Sequence, residues 1–93
     1  MNQVIDLPNL FHIMQELVKE RCYTDEKVDI TFKKDYRDIS TITVWHYNEN
    51  YHYGCKHLNI KEGDFIDSAY EKLEVVKHIM NNGGLLNELQ DRA

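Results

Sequence analysis

The sequence predicts an α+β fold: a three-stranded antiparallel sheet with two helices packed on one face, in the order α-β-β-β-α, plus a short C-terminal helix. Three observations predict it. Leu10, Phe11, Ile13, Met14, Leu17 and Val18 recur at helical spacing near the start. Between Lys27 and Ile60 the apolar residues alternate with polar ones, the period of a strand with one buried face. From Asp64 the helical period returns and stops at Asn82-Gly83-Gly84. Residues 1–93 read as a single compact domain, and a chain of 93 residues builds one modest core with no deep cleft.

The first helix is expected from Pro8 to Cys22. Asp6 or Leu7 precedes it, and Pro8 suits a first turn, where its missing N–H costs nothing. Tyr23-Thr24-Asp25-Glu26 breaks the pattern. Lys27 to Lys33 reads as a half-buried strand, with Val28, Ile30 and Phe32 on one side and Asp29 and Thr31 on the other. A polar turn over Lys34 to Asp38 leads to a second strand, Ile39 to Tyr47.

Asn48-Glu49-Asn50 fits a three-residue hairpin loop, with Asn50 in the left-handed conformation that Asn tolerates. The third strand then starts at Tyr51 and runs to about Ile60. In this register Tyr47 faces Tyr51, Trp45 faces Tyr53, and His46 faces His52. One face carries Thr41, Thr43, Trp45, Tyr47, Tyr51, Tyr53, Cys55 and His57. The other carries Ile42, Val44, His46, His52, Gly54, Lys56 and Leu58.

The main helix is expected from Asp64 to Asn81. Asp64 serves as N-cap, and Asp67 adds negative charge to the first turn, where the helix dipole favours it. Ile66, Ala69, Leu73, Val76 and Met80 form its apolar stripe, with Phe65 and Ile79 at the edge. Leu85, Leu86 and Leu89 mark the short final helix over 85–90.

This element order is also that of double-stranded-RNA-binding domains. The likeness is topological. The second helix lacks a basic cluster at its start, and Asp64 and Asp67 stand where phosphate-binding residues would be needed. The chain has 16 acidic against 11 basic residues and a formal charge of −5. That balance opposes direct nucleic-acid binding and suits a partner with a basic surface. The start carries no cationic region followed by a long apolar run, and no apolar stretch approaches the roughly 20 residues of a membrane span. Cys22 and Cys55 are therefore expected as reduced thiols in the cytoplasm. Scarce Ala, Pro and Arg beside plentiful Asn, Lys, Ile and Tyr point to an AT-rich genome, such as that of a low-GC bacterium or its phage.

No catalytic or cofactor signature is present, and no cofactor, metal or enzymatic activity is expected. His46, His52, Cys55 and His57 invite a zinc reading. Strand parity sends Cys55 and His57 to one face and His46 and His52 to the other. Cys55 and His57 as nucleophile and base would stand roughly 6–7 Å apart on one strand, beyond a direct hydrogen bond.

Two surfaces are the candidate partner-binding sites. Trp45, Tyr47, Tyr51 and Tyr53 make an aromatic face, of the residue types that dominate binding hot spots. Asp64, Asp67, Glu71 and Glu74 form a stripe nearly opposite the apolar face of the main helix, suited to docking on a basic groove. The expected function is a small acidic interaction module, an accessory or inhibitor protein of phage or mobile-element type. The alternative is a small-ligand or metal-binding domain built on the His- and Tyr-rich hairpin. Self-association into a homodimer, through a strand edge or the aromatic face, is a third expectation.

Overall fold

The structure, a computed structural model, describes residues 3–86. Its elements run α1 (Leu7–Arg21), β1 (Lys27–Lys34), β2 (Ser40–Tyr47), β3 (Cys55–Lys61) and α2 (Ile66–Asn82). The strands form one antiparallel sheet in the order β1-β2-β3. Both helices lie on the same face of it, α1 over β1 and β2 and α2 over β3. The α+β class and the α-β-β-β-α order are thus as the sequence predicts. Most of the short helix expected over 85–90 falls on residues outside those described.

Helix α1 begins where Asp6 accepts a 3.0 Å hydrogen bond from the backbone N–H of Asn9, with Pro8 in the first turn. Lys19 and Arg21 in its last turn oppose the negative end of the dipole. Its buried stripe is Leu10, Ile13 and Leu17. These pack on Val28, Ile42, Val44, Leu58 and Ile60 from the sheet and on Ala69, Leu73, Val76, Ile79 and Met80 from α2. The β1–β2 turn is built on Asp35, whose Oδ1 accepts from the backbone N–H groups of Arg37 and Ile39 at 2.8 and 3.1 Å. Those contacts, that of Ile39 foremost, hold the Asp35 carboxyl below its ordinary pKa. Asp38 takes the left-handed conformation there, at φ 66°.

Two expectations are corrected. The third strand starts at Cys55, and Tyr47 pairs with Cys55 instead of Tyr51, a shift of four residues. Trp45 likewise pairs with His57, and His46 with Lys56. The connection over 48–54 folds into successive turns, with Tyr51 N–H donating to Asn48 C=O and Gly54 N–H to Tyr51 C=O. Gly54, at φ 81°, occupies the left-handed position assigned above to Asn50. The physical reason is Tyr51, which turns into the core (6% exposed) instead of extending the hairpin.

The second correction concerns Asp64. Helix α2 starts two residues later, with Phe65 in the cap position and no side-chain cap. Asp64 instead accepts from the Lys61 backbone N–H at 2.9 Å and pairs with Lys72 at 3.9 Å. The exposed N–H of Ile66 is satisfied by the Gln3 carbonyl at 2.8 Å. The segment before α1 runs along the β3–α2 turn. Val4 bridges Phe65, and Ile5 donates to Asp64 C=O and accepts from Gly63 N–H. Ile5 is fully buried, and Ile79, expected at the stripe edge, is buried too.

Leu17 and Leu73 sit at the centre of this core, 0% and 3% exposed. Leu17→Ala and Leu73→Ala should each cost about 2–5 kcal/mol in urea unfolding, the usual range for an emptied core site. A loss below about 1 kcal/mol at both would show that the core lies elsewhere.

Candidate functional site

Burial of one sheet face leaves the other without a helix over it among the described residues. Successive β2 side chains alternate, so Ile42, Val44 and His46 point under the helices and Thr43, Trp45 and Tyr47 point out. The pairing register then assembles three outward rows: Lys27, Tyr47 and Cys55; Asp29, Trp45 and His57; Thr31, Thr43 and Asn59. The half-buried Trp45 stacks on His57, with ring centroids 4.5 Å apart and planes inclined by 31°. Thr43 Oγ1 donates to Asn59 Oδ1 at 2.8 Å. Tyr47 is 40% exposed. Its phenol donates to the Asp29 carboxylate, and this bond, with partial desolvation, raises the phenol pKa above its ordinary value.

The inner face holds a polar chain at the same end of the sheet. His46 is 1% exposed. Its Nε2 lies 2.8 Å from Glu26 Oε1 and its Nδ1 lies 2.8 Å from the Tyr51 hydroxyl. The Tyr51 oxygen also accepts from the Leu86 backbone N–H at 2.7 Å. Each ring nitrogen thus has a polar partner, the Glu26 carboxylate at Nε2 and the Tyr51 hydroxyl at Nδ1. Parity forces His46 inward, and buried polar groups are tolerated only when bonded. Tyr51 enters the core as that partner, its ring edge-on to the imidazole at 5.4 Å and 90°. Glu26, Tyr51 and Leu86 come from three separate connections, so sequence spacing gave no sign of the network.

The eight predicted site residues therefore divide. Trp45 and Tyr47 share the open sheet face. Tyr51 is core. Tyr53 is 86% exposed at the tip of the 48–54 connection, with its ring edge-on to His52 at 4.4 Å. Asp67, Glu71 and Glu74 are exposed on the outer side of α2, opposite Ala69, Leu73 and Val76 and so on the far side of the molecule from Trp45. Asp64 is apart from them in the β3–α2 turn. No ion pair among the described residues involves Asp67, Glu71 or Glu74, whereas Lys72 is engaged by Asp64 and Lys77 by Glu16.

The histidines and cysteines are also dispersed. His46 is inside, Cys55 and His57 are on the open face, and His52 is on the connection. Among the described residues no group of three or more His, Cys, Asp or Glu is placed to hold a metal ion. No helix among them is long and apolar enough to cross a membrane. Compared with known proteins, the chain matches no family model, no curated protein and no solved structure.

Two measurements check this geometry. Tyr51→Phe orphans His46 Nδ1 and the Leu86 N–H in the core, and should cost about 1–3 kcal/mol in urea unfolding. A change of less than about 0.5 kcal/mol would mean that the hydroxyl is not holding these groups. Asp29→Asn should bring the Tyr47 phenol back down toward its ordinary titration range, read by ultraviolet absorbance. The sign follows from the raised pKa. The folded chain holds the phenol proton more tightly than the unfolded chain, so this contribution to stability is present below the ordinary phenol pKa and is lost as pH rises through the folded value. An unchanged Tyr47 titration in the variant would remove the Asp29 contact.

Proposed function

We propose that this protein is a non-enzymatic interaction module, an accessory or inhibitor protein of the phage or mobile-element kind, which acts in the cytoplasm on a partner with a basic, nucleic-acid-binding surface. One observation carries the reading. Asp67, Glu71 and Glu74 stand exposed along one side of α2 with no intramolecular cation among the described residues, while neighbouring lysines are already engaged. Asp67 and Glu71 are four apart, a mildly repulsive pair on a helix. Such a ridge adds little to the stability of its own fold. It offers a ready-made field for a basic groove, and complementary fields of this kind speed encounter.

The open sheet face is the second contact region of the module. Trp45 and Tyr47 supply rigid rings with little side-chain entropy to lose, and the Thr43–Asn59 pair and His57 supply hydrogen-bonding groups beside them. Because this face and the ridge point in opposite directions, they serve separate contacts. The ridge governs association with the basic partner. The sheet face adds desolvated contact wherever the partner, or a second component, reaches it.

A pull-down from the native host, read by mass spectrometry, identifies the partner. Reversal of Asp67, Glu71 and Glu74 to Lys should then slow association about tenfold or more at low salt and leave unfolding stability nearly unchanged. Association of the unmodified protein should slow as salt rises, since charges are screened over roughly 10 Å at 0.1 M. Association that ignores both the triple reversal and the salt concentration would refute the basic-partner reading.

A further inference from the structure

The sheet has two edges, and they are treated differently. Adjacent pairs show which backbone groups point where. Asp35 N–H donates to Ile39 C=O across the β1–β2 ladder, so the odd residues of β1 bond inward to β2 and the even ones point to the free edge. On the β3 edge the odd residues point outward, and the groups near its C-terminal end, at Asn59 and Lys61, are covered while none among the described residues bonds those of Cys55 and His57. Lys72 Nζ donates to Asn59 C=O at 2.9 Å, the Asp64 side chain accepts from Lys61 N–H, and Asp64 N–H donates to Lys61 C=O at 3.1 Å. On the β1 edge only Val28 C=O is covered among the described residues, by Arg21 Nε at 2.6 Å. Nothing among them bonds the outward groups of Ile30 and Phe32. Beside these lies apolar surface: Phe11 is 52% and Val18 45% exposed on one stripe of α1, and Phe32 is 36% exposed with its ring 5.6 Å from that of Phe11. An open edge of this length next to exposed rings is a template for another strand.

We propose that the occupant of this edge is a second copy of the same chain, with β1 pairing antiparallel to β1 about a two-fold axis at Thr31 to make a continuous six-stranded sheet. Two constraints select that register. Side chains of the two copies share faces only when paired residues have the same parity. Among the registers that obey this, the one centred on Thr31 sets Asp29 against the partner's Lys33, and Lys33 against the partner's Asp29. It sets Lys27 against the partner's Asp35 as well. Centring on Ile30 would instead oppose Lys27 and Lys33, and centring on Phe32 would oppose Asp29 and Asp35, like charges in both cases. In the Thr31 register Ile30 meets the partner's Phe32 on the helix face, under Phe11 and Val18. The N–H and C=O groups of Ile30 and Phe32 then bond those of the partner's Phe32 and Ile30. Lysines usually guard a free edge, but here Lys33 meets a carboxylate. The dimer leaves both the Trp45 face and the Asp67 ridge uncovered, so it stands or falls independently of the function proposed above.

The test uses the full chain. Light scattering after size exclusion should give twice the 11.1 kDa chain mass at micromolar concentration. Asp29→Lys and Lys33→Asp should each weaken association on the order of tenfold, because like charges then face each other twice. The double variant D29K/K33D, or an equimolar mixture of the two single variants, should recover it, since each restores opposite charges in this register. Thr31→Cys, in a background of Cys22→Ser and Cys55→Ser, should form an intersubunit disulfide on mild oxidation. Residues facing each other in a non-hydrogen-bonded pair have Cα atoms about 4.5 Å apart, within disulfide range. Circular dichroism confirms that each variant is folded. A monomer of the unmodified chain at every concentration up to about 1 mM would overturn the proposal. So would a dimer whose affinity ignores both charge reversals and whose Thr31→Cys variant does not cross-link, which would place the interface on another surface.

Discussion

Strand β2 is central and hydrogen-bonded on both sides, and the alternation of its side chains governs the rest of the molecule. Ile42, Val44 and His46 point under the helices, and Thr43, Trp45 and Tyr47 point away from them. A slip of one residue would exchange these sets, exposing the aliphatic row and burying the indole and phenol. The aliphatic row pins the register, and His46 is carried inward with it. Burying an imidazole demands partners, and the chain supplies them from three distant places: Glu26 before β1, Tyr51 from the β2–β3 connection, and the backbone of Leu86 beyond α2. One strand's parity thereby ties down a loop and the segment that follows the last long helix.

The same constraint creates the surfaces available for binding. With both helices committed to the inner face, the outer face is left to Trp45, Tyr47, His57, Thr43 and Asn59. The Asp64 turn and the Lys72 contact cover the β3 edge at Lys61 and Asn59. The β1 side is closed only at Val28, among the described residues, where Arg21 reaches over the strand. The acidic ridge lies on the third aspect, the outside of α2. A small chain thus presents three chemically distinct aspects, one aromatic, one anionic and one a strand edge beside exposed rings. This division suits a module that works by contact.

The parts of this arrangement that sequence could reveal are those set by local periods. The two helical stripes, the alternation in β1 and β2, and the assignment of Trp45 to the face opposite Val44 follow from residue spacing. The missed register between β2 and β3 has a specific cause. Asn48-Glu49-Asn50 has good chemistry for a short turn, and only the long-range bonds of the Tyr51 hydroxyl make the longer connection preferable. Since the register moved by an even number of residues, Cys55 and His57 kept their face while Tyr51 and Tyr53 left the strand altogether. The start of α2 was missed for a similar reason. Asp64 looks like a cap by type, but Gln3, far away in sequence, satisfies Ile66, and the Asp64 carboxylate is drawn to Lys61 and Lys72. The Glu26–His46–Tyr51 chain had no local signal at all. Of the candidate site, the Asp67, Glu71 and Glu74 part of the acidic stripe and the Trp45–Tyr47 pair were readable because each lies within one element.

The described residues cover the sheet on one face only. Trp45 is the chain's single tryptophan and sits in the middle of the open face, so its emission reports on that face alone. Iodide, which does not penetrate a protein core, tests it directly. Iodide should quench Trp45 in the folded protein to a substantial fraction of the quenching seen in urea, and the emission should be that of a partly solvated indole. A blue-shifted emission that iodide leaves untouched until the chain unfolds would mean that Trp45 is enclosed, and the one-sided arrangement of this fold would be contradicted.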